Sequence, residues 1–228
     1  MSELPTHLRG ALMGEERISR AVLAEHQRER VIAKATPVFA KRGYQATTVD
    51  DLLASGKVGV GNFYSLFEGK EDCFLACFDR AVGDARATIA AAAEATADWD
   101  ERAYRGLAAM LDFLCGEPLA AKLVLVEVQG AGSAATARYD ALLDQAVAWL
   151  TAGRLGHPEA ADLPKSFERA AVSGLAFYLQ QCLLEARRLS AAELLAETAV
   201  LLLEPIIGAG RLEQLSREGA ARGAGQKP

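Results

Sequence analysis

Residues 47–70 read TTVDDLLASGKVGVGNFYSLFEGK, and their local chemistry spells two short helices joined by a tight turn. Thr47 or Thr48 is a suitable N-cap, because a hydroxyl there accepts from the amide of Asp50 or Asp51. Asp50 and Asp51 then occupy the first turn, where the helix dipole favours carboxylates. Val49, Leu52 and Leu53 recur at helical spacing and supply one apolar face. Ser55-Gly56 predicts the stop, with glycine providing a left-handed residue. A second helix is expected to start near Gly59 or Val60 and to end at Glu68-Gly69. On this spacing Val58, Phe63, Leu66 and Phe67 turn inward, while Val60, Gly61, Asn62, Tyr64 and Ser65 turn outward.

Nothing on that outward surface is built to pack into a core. Glycine in a helix interior costs about 1 kcal/mol relative to alanine, so Gly61 needs a reason, and close approach to a DNA strand is one. Asn62 can pair bidentately with an adenine edge, and Tyr64 and Ser65 can donate to phosphates or bases. Lys70 opens the next helix, where its charge opposes the dipole, which points to a phosphate partner. The bland alternative makes Gly59 and Gly61 plain loop residues. A nucleotide-binding loop does not fit, because the GVG run lacks a preceding strand and a Lys-Ser/Thr ending. A helix-turn-helix with a bare polar and aromatic second helix is a tool for reading DNA.

Phe39, Gly43-Tyr44, Thr47-Thr48-Val49, Val58, Gly61, Phe63-Tyr64, Phe67 and Lys70-Glu71 occur in the order and spacing of one known family. Over residues 26 to 80 the chain resembles the N-terminal domain of the tetracycline-repressor (TetR) family. The resemblance implies a three-helix DNA-binding head, with its second helix across the DNA backbone and its third in the major groove. By position, Thr48, Tyr64 and Lys70 look like phosphate contacts, and Val60, Gly61, Asn62 and Ser65 like base-proximal positions. Thr47, Lys57 and Gly59 complete the candidate DNA-facing set. The chain departs from the family where Gly56-Lys57-Val58-Gly59 stands for Ala-Gly-Val-Ser, and where Leu66 replaces a common histidine or other polar or aromatic residue. Pro37 falls inside the first helix, removes one amide bond and is expected to kink it near Ala33.

Composition agrees. Alanine and leucine dominate the 228 residues and strand-like alternation is scarce, so the class is all-α: a head followed by a larger helical body. The net charge of −5 argues against indiscriminate nucleic-acid binding. Residues 26–70 carry seven Lys/Arg against four Asp/Glu, or +3, and the remainder eighteen against twenty-six, or −8. A basic head on an acidic body turns one end toward DNA. Residues 1–25 form an extension whose Arg17 and Arg20, with Arg28 and Arg30 beyond it, either touch phosphate or lie on a solvated arm. Cys73 and Cys77 stand one turn apart, in the first instance packing residues, with redox sensing the lesser reading. Cys115 and Cys182 read as core. No run reaches the ~18 apolar residues of a membrane span, so no membrane partner and a cytoplasmic location are expected. No cofactor or metal is indicated. His7, His26 and His157 lack metal- or triad-like spacing, and no enzyme motif occurs.

The body (residues 71–210) reads as successive helices, the first from 70 to about 93 and the next capped by Asp98. Pro118 opens another, followed by an almost wholly apolar stretch to Val128, and Ser133 starts one ending near Gly153. Residues 156–164 look like a linker. Two long helices are expected near 165–188 and 191–208. Val172, Leu175, Leu179 and Leu183 on one and Leu194, Leu195, Leu201 and Leu202 on the other are expected to form a homodimer interface, as the resemblance also implies. Phe113, Gln129, Trp149, Phe177, Tyr178 and Gln181 are the candidate lining of a small-molecule effector pocket, with an apolar or aromatic effector favoured. Residues 211–228 are expected to be a flexible tail. These readings combine into a dimeric, ligand-responsive regulator on a palindromic operator, by family default a repressor. The competing reading is a helical protein-interaction scaffold.

Overall fold

Phe39, Phe63, Phe67 and Phe74 are each at most 2% exposed, and the N-terminal head assembles around them. In a computed structural model, which describes residues 20–94, 96–185 and 190–225, these rings come from three helices and the turn after α3. They are α1 (Arg20–Arg42), α3 (Val60–Leu66) and α4 (Lys70–Ala93), with α2 (Val49–Gly56) closing the head through buried Leu52. Phe39 and Tyr44 both meet Phe74 edge-on at 5.2 Å, a geometry in which ring edges face ring π-clouds. The first helix begins at Arg20, inside the expected N-terminal extension, and it continues on both sides of Pro37. Arg17 and residues 1–19 as a whole lie outside the described residues.

Among the described residues the body is helical throughout. It comprises the remainder of α4, α5 (Trp99–Gly116), α6 (Pro118–Leu125), α7 (Ser133–Arg154), α8 (Phe167–Leu184), α9 (Ala191–Leu202), a short α10 (Glu204–Ile207) and α11 (Ala209–Gly225). Asp98 caps α5 by accepting from the Asp100 amide at 3.2 Å, and Pro118 sits at the start of α6, where a missing N–H costs nothing. The small apolar helix α6 packs against α1, α4, α5 and α8, so it is buried between head and body, as its composition required.

Four expectations give way. The helix expected to run to 208 stops at Leu202, and Pro205 opens a separate turn, because proline offers no amide to continue the ladder. The expected flexible tail is helical as α11 through Gly225. Leu212 and Leu215 are 7% and 0% exposed, and Gly219 lies against the Tyr104 ring, so an apolar stripe docks the segment. The stretch read as a linker is pinned: Ala160 is buried, and Arg154 donates to the carbonyls of Leu163 (3.2 Å) and Pro164 (3.3 Å). Arg154 Nε also lies 2.9 Å from Glu168 Oε1, off the hydrogen-bond direction, so charge rather than a hydrogen bond satisfies that buried carboxylate. Cys115, expected in the core, is exposed.

The end of the body away from the head is held by one polar cluster. Asp100 receives His157 Nε2 at 2.8 Å and Arg211 Nε at 3.1 Å, joining α5, the 156–164 segment and α11. The other ring nitrogen of His157 faces the Gly153 carbonyl at 2.9 Å. Burial opposes charge on this ring. With an acceptor at each nitrogen, however, the Gly153 carbonyl and the Asp100 carboxylate prevail and raise His157 above its ordinary pKa. Trp99 packs between Trp149 (5.2 Å) and His157 (5.3 Å).

A Cβ at Gly153 would overlap the Trp99 ring. Gly153→Ala is therefore expected to destabilise the protein by about 1–3 kcal/mol. The readout is a lowered thermal midpoint by circular dichroism, together with altered tryptophan emission.

Candidate nucleic-acid interface and effector cavity

The helix-turn-helix is built by short-range bonds. Thr48 is the N-cap of α2: its hydroxyl accepts from the Asp51 amide at 3.2 Å, while Asp51 accepts from the Thr48 amide at 2.9 Å, a reciprocal capping box. The Thr48 amide and hydroxyl bonds, with the Arg42 guanidinium beside them, hold the Asp51 carboxyl below its ordinary pKa. The turn then bends at Lys57, which takes the left-handed conformation (φ 50°) that the sequence assigned to Gly56. Gly56 is instead buried as the last residue of α2, with Val31 and Val58 beside it. Gly59 is the N-cap of α3 and provides no side-chain cap.

Phe63 and Phe67 anchor α3, and Val60, Gly61, Asn62, Tyr64 and Ser65 stand on its exposed side, with Val60 57% and Tyr64 54% exposed. A Cβ at Gly61 would meet nothing within 4 Å, so intramolecular packing does not account for this glycine. Ser65 Oγ donates back to the Asn62 carbonyl at 2.7 Å and lies 3.4 Å from the Asn62 side-chain Oδ1, and Asn62 itself is exposed. Thr48 and Lys57 are exposed beside this face.

Two candidates are placed otherwise. Thr47 is 1% exposed and donates to the Gly43 carbonyl at 2.7 Å, so its hydroxyl is consumed in closing the corner after α1. Lys70 donates to the Tyr44 carbonyl at 3.0 Å and lies 4.2 Å from the Tyr44 ring centre. Its charge thus has partners inside the head despite the opposing dipole. Arg28 lies over the Phe67 ring at 5.1 Å.

Head and body meet at the same corner. Gly43 adopts φ 84°, which turns the Tyr44 amide onto Glu127 Oε2 at 2.9 Å. Gln45 adds a bond to the Gly130 carbonyl at 2.6 Å. Glu127 and Gly130 belong to the 3-10 turn (Glu127–Gly130) that continues α6.

Above that turn, α4 to α8, with Leu202 at the end of α9, line a cavity of about 480 Å3, within the ~300–1,000 Å3 typical of small-molecule sites. Phe113 and Trp149 line it as expected. Gln129 does not: it is exposed on the 3-10 turn. Phe177, Tyr178 and Gln181 are likewise absent from the lining. Phe177 is 62% exposed, and Tyr178 donates to Glu197 on α9, a bond that pushes its phenol up to about 12. Val172, Leu175, Leu179 and Leu202, expected at a dimer interface, line the cavity instead. Leu194 is buried, and Leu183 and Leu195 pack against the core. Of that expected set Leu201 alone is exposed, at 63%, and the residues beside it on the outer faces of α8 and α9 are Phe177, Leu184 and Val200.

The faces of α8 were exchanged for a simple reason. The helix is apolar almost all round, so periodicity cannot say which stripe faces inward. Phe177 and Leu184, seven residues apart, form one stripe, and Val172, Ala176 and Leu179 the other. The polar and larger lining residues that the sequence reading missed include Arg86, Ile89, Arg102, Met110, Tyr139 and Gln145, which come from helices that look like ordinary amphipathic elements in the sequence. Cys73 and Cys77 are buried, and the hydrogen bond to Cys77 together with burial pushes the Cys73 thiol up, which makes it a poor redox sensor. No helix of the described residues is long and apolar enough to cross a membrane.

Residues 31–77 match the family described as bacterial regulatory proteins, tetR family. The uncharacterized HTH-type transcriptional regulator YhgD of Bacillus subtilis (strain 168) is 30% identical over 87 residues, which is 38% of this chain and 46% of that protein. The HTH-type transcriptional repressor DhaR of Mycobacterium sp. (strain GP1) is 43% identical over 44 residues, 19% of this chain and 22% of its own. The chain thus spans less than half the length of these curated relatives. Among solved structures, FadR from Bacillus subtilis in complex with stearoyl-CoA superposes with a TM-score of 0.65 at 18% identity, covering 79% of this chain and 98% of that one. A gamma-butyrolactone receptor (ArpA-like protein) gives 0.66 at 18% identity, covering 87% and 96%. At such identities these likenesses establish a shared fold.

Removing the Glu127 carboxylate orphans a half-buried amide, which costs about 1–3 kcal/mol. Glu127→Ala is expected to lower the thermal midpoint and to speed hydrogen exchange at the Tyr44 amide, with helical content retained.

Proposed function

We propose that the chain, whose residues 31–77 match the tetR family of bacterial regulatory proteins, is a ligand-responsive transcriptional regulator, a repressor that binds a palindromic operator as a homodimer. It works in the cytoplasm, where that DNA lies. Residues 26–70 read the DNA; residues 71–210 bind the effector and pair with a second copy.

The observation that carries the reading is the exposed side of α3. Asn62, Tyr64 and Ser65 surround a glycine that nothing in the fold requires, on a helix whose other side is anchored by two phenylalanines with at most 2% exposure. Thr48 and Lys57 flank that surface as phosphate-contacting groups. The outward stripe of Phe177, Leu184, Val200 and Leu201 is the apolar surface a second copy would cover. A dimer suits a head of this size, which reads one half-site. The cavity supplies the switch: a ligand that favours one spacing of the two heads shifts the population away from the DNA-binding form.

Footprinting on the DNA upstream of the protein's own gene, at physiological salt, tests the reading. Wild-type protein is expected to protect a two-fold symmetric site. Asn62→Ala is expected to weaken that site by about 1–3 kcal/mol, the worth of a bidentate base contact, and Tyr64→Ala is expected to weaken it as well, with both variants remaining dimeric. Binding no stronger than to random duplex would exclude the regulator and favour the scaffold. Separately, the double variant Phe177→Arg/Leu201→Arg is expected to sediment as a folded monomer; a retained dimer would place the interface elsewhere.

A further inference from the structure

We infer that the effector is an amphiphile with one apolar tail and a single anionic head group, and that the head group is held at Arg86 and Gln145 in the mouth between α4 and α7. This deepens the regulator reading and rests on the cavity being the effector site. The inference comes from how charge is distributed around the cavity. No carboxylate is among the lining residues, whose only charged members are Arg86 and Arg102. Arg80, Arg105, Arg138, Arg154, Arg169, Arg211 and Arg217, elsewhere in α4 to α11, each form an ion pair. Arg86 has no acidic partner among the described residues; its hydrogen bond goes to the neutral Gln145 side chain.

The second observation is a smaller space of about 290 Å3 between α4 and α7. It shares Val82, Arg86, Leu142 and Gln145 with the main cavity, so the two spaces meet at the Arg86–Gln145 contact. Its character differs: it contains Arg138, paired with Asp79, where the main cavity is walled by leucine, isoleucine, methionine and aromatic side chains. A tail in the apolar cavity would leave its head group at that junction. There an anion gains the Arg86 guanidinium, which has no acidic partner among the described residues, and an amide donor, while Arg138 and Asp79 in the same wall neutralise each other. Arg102 lines the same cavity and also has no acidic partner among the described residues, which makes it the internal comparison.

The test is direct ligand binding to the full chain without DNA, by calorimetry and by emission of Trp149 in the cavity wall, with dodecanoate, 1-dodecanol, dodecyltrimethylammonium and dodecanoyl-CoA. Dodecanoate or dodecanoyl-CoA is expected to bind about fivefold tighter than the alcohol, the size of a charge contact at a solvent-open mouth, and the ammonium no tighter than the alcohol. The tighter of the two anions identifies the head group as a carboxylate or as the phosphates of the thioester. Decanoate is expected to bind about fifteenfold more weakly than dodecanoate, for two lost methylenes. Arg86→Met is expected to reduce the anion to the level of the alcohol while leaving the alcohol's affinity unchanged, which also reports an intact cavity; Arg102→Met is expected to preserve the preference. Equal affinity for anion and alcohol, or a preference that survives Arg86→Met, overturns the inference. Absence of binding by every amphiphile overturns it too, and leaves the regulator reading to stand or fall on the footprint.

Discussion

The bond from the Tyr44 amide to the Glu127 carboxylate is the constraint on which the arrangement of head and body depends. It requires a left-handed residue just before it, which Gly43 supplies at φ 84°. It also requires the corner after α1 to be rigid, which Thr47 achieves by spending its hydroxyl on the Gly43 carbonyl. Lys70 then covers the Tyr44 ring and binds its carbonyl, so the start of α4 is tied to the same residue. One dipeptide thereby holds α1, α2, α4 and the turn after α6 in a single geometry.

That turn gives the corner its significance for the proposed switch. Helix α6 contributes Ala121, Val124 and Leu125 to the cavity wall, and two residues later the chain presents Glu127 to the head. A displacement of α6 by a ligand therefore acts on a short, charged, half-buried contact with no flexible segment between. Helix α4 offers a parallel route, since it starts at the head with Lys70 and lines the cavity from Ala81 to Ala93. The opposite end of the body, clamped by Asp100, His157 and Arg211, provides the fixed side against which such a movement would occur.

Local chemistry was the most legible part of the chain. A threonine cap at 47 or 48, the cap at Asp98, the proline that starts α6 and the bounds of α4 all depend on neighbours within a few residues, so the sequence carries them openly. Where it misled, long-range packing had decided between locally equivalent options. Thr47 and Thr48 are both good caps, but only one of them is buried against the Gly43 carbonyl. The last seventeen helical residues looked frayed because their charge and glycine content masks the stripe containing Leu212 and Leu215, which docks on the body.

By itself the sequence determined the helical class, the helix-turn-helix and the residues on the outward side of α3, because caps, turns and a 3.6-residue period are set by nearest neighbours. Only the tertiary structure decided which stripe of α8 encloses the cavity and which faces out, since a helix apolar all round has no preferred side until its neighbours are in place. The same holds for Arg86. Its significance lies not in its sequence context but in standing at the mouth of an apolar cavity without an acidic partner among the described residues, a fact that exists only once α4, α5 and α7 have been brought together.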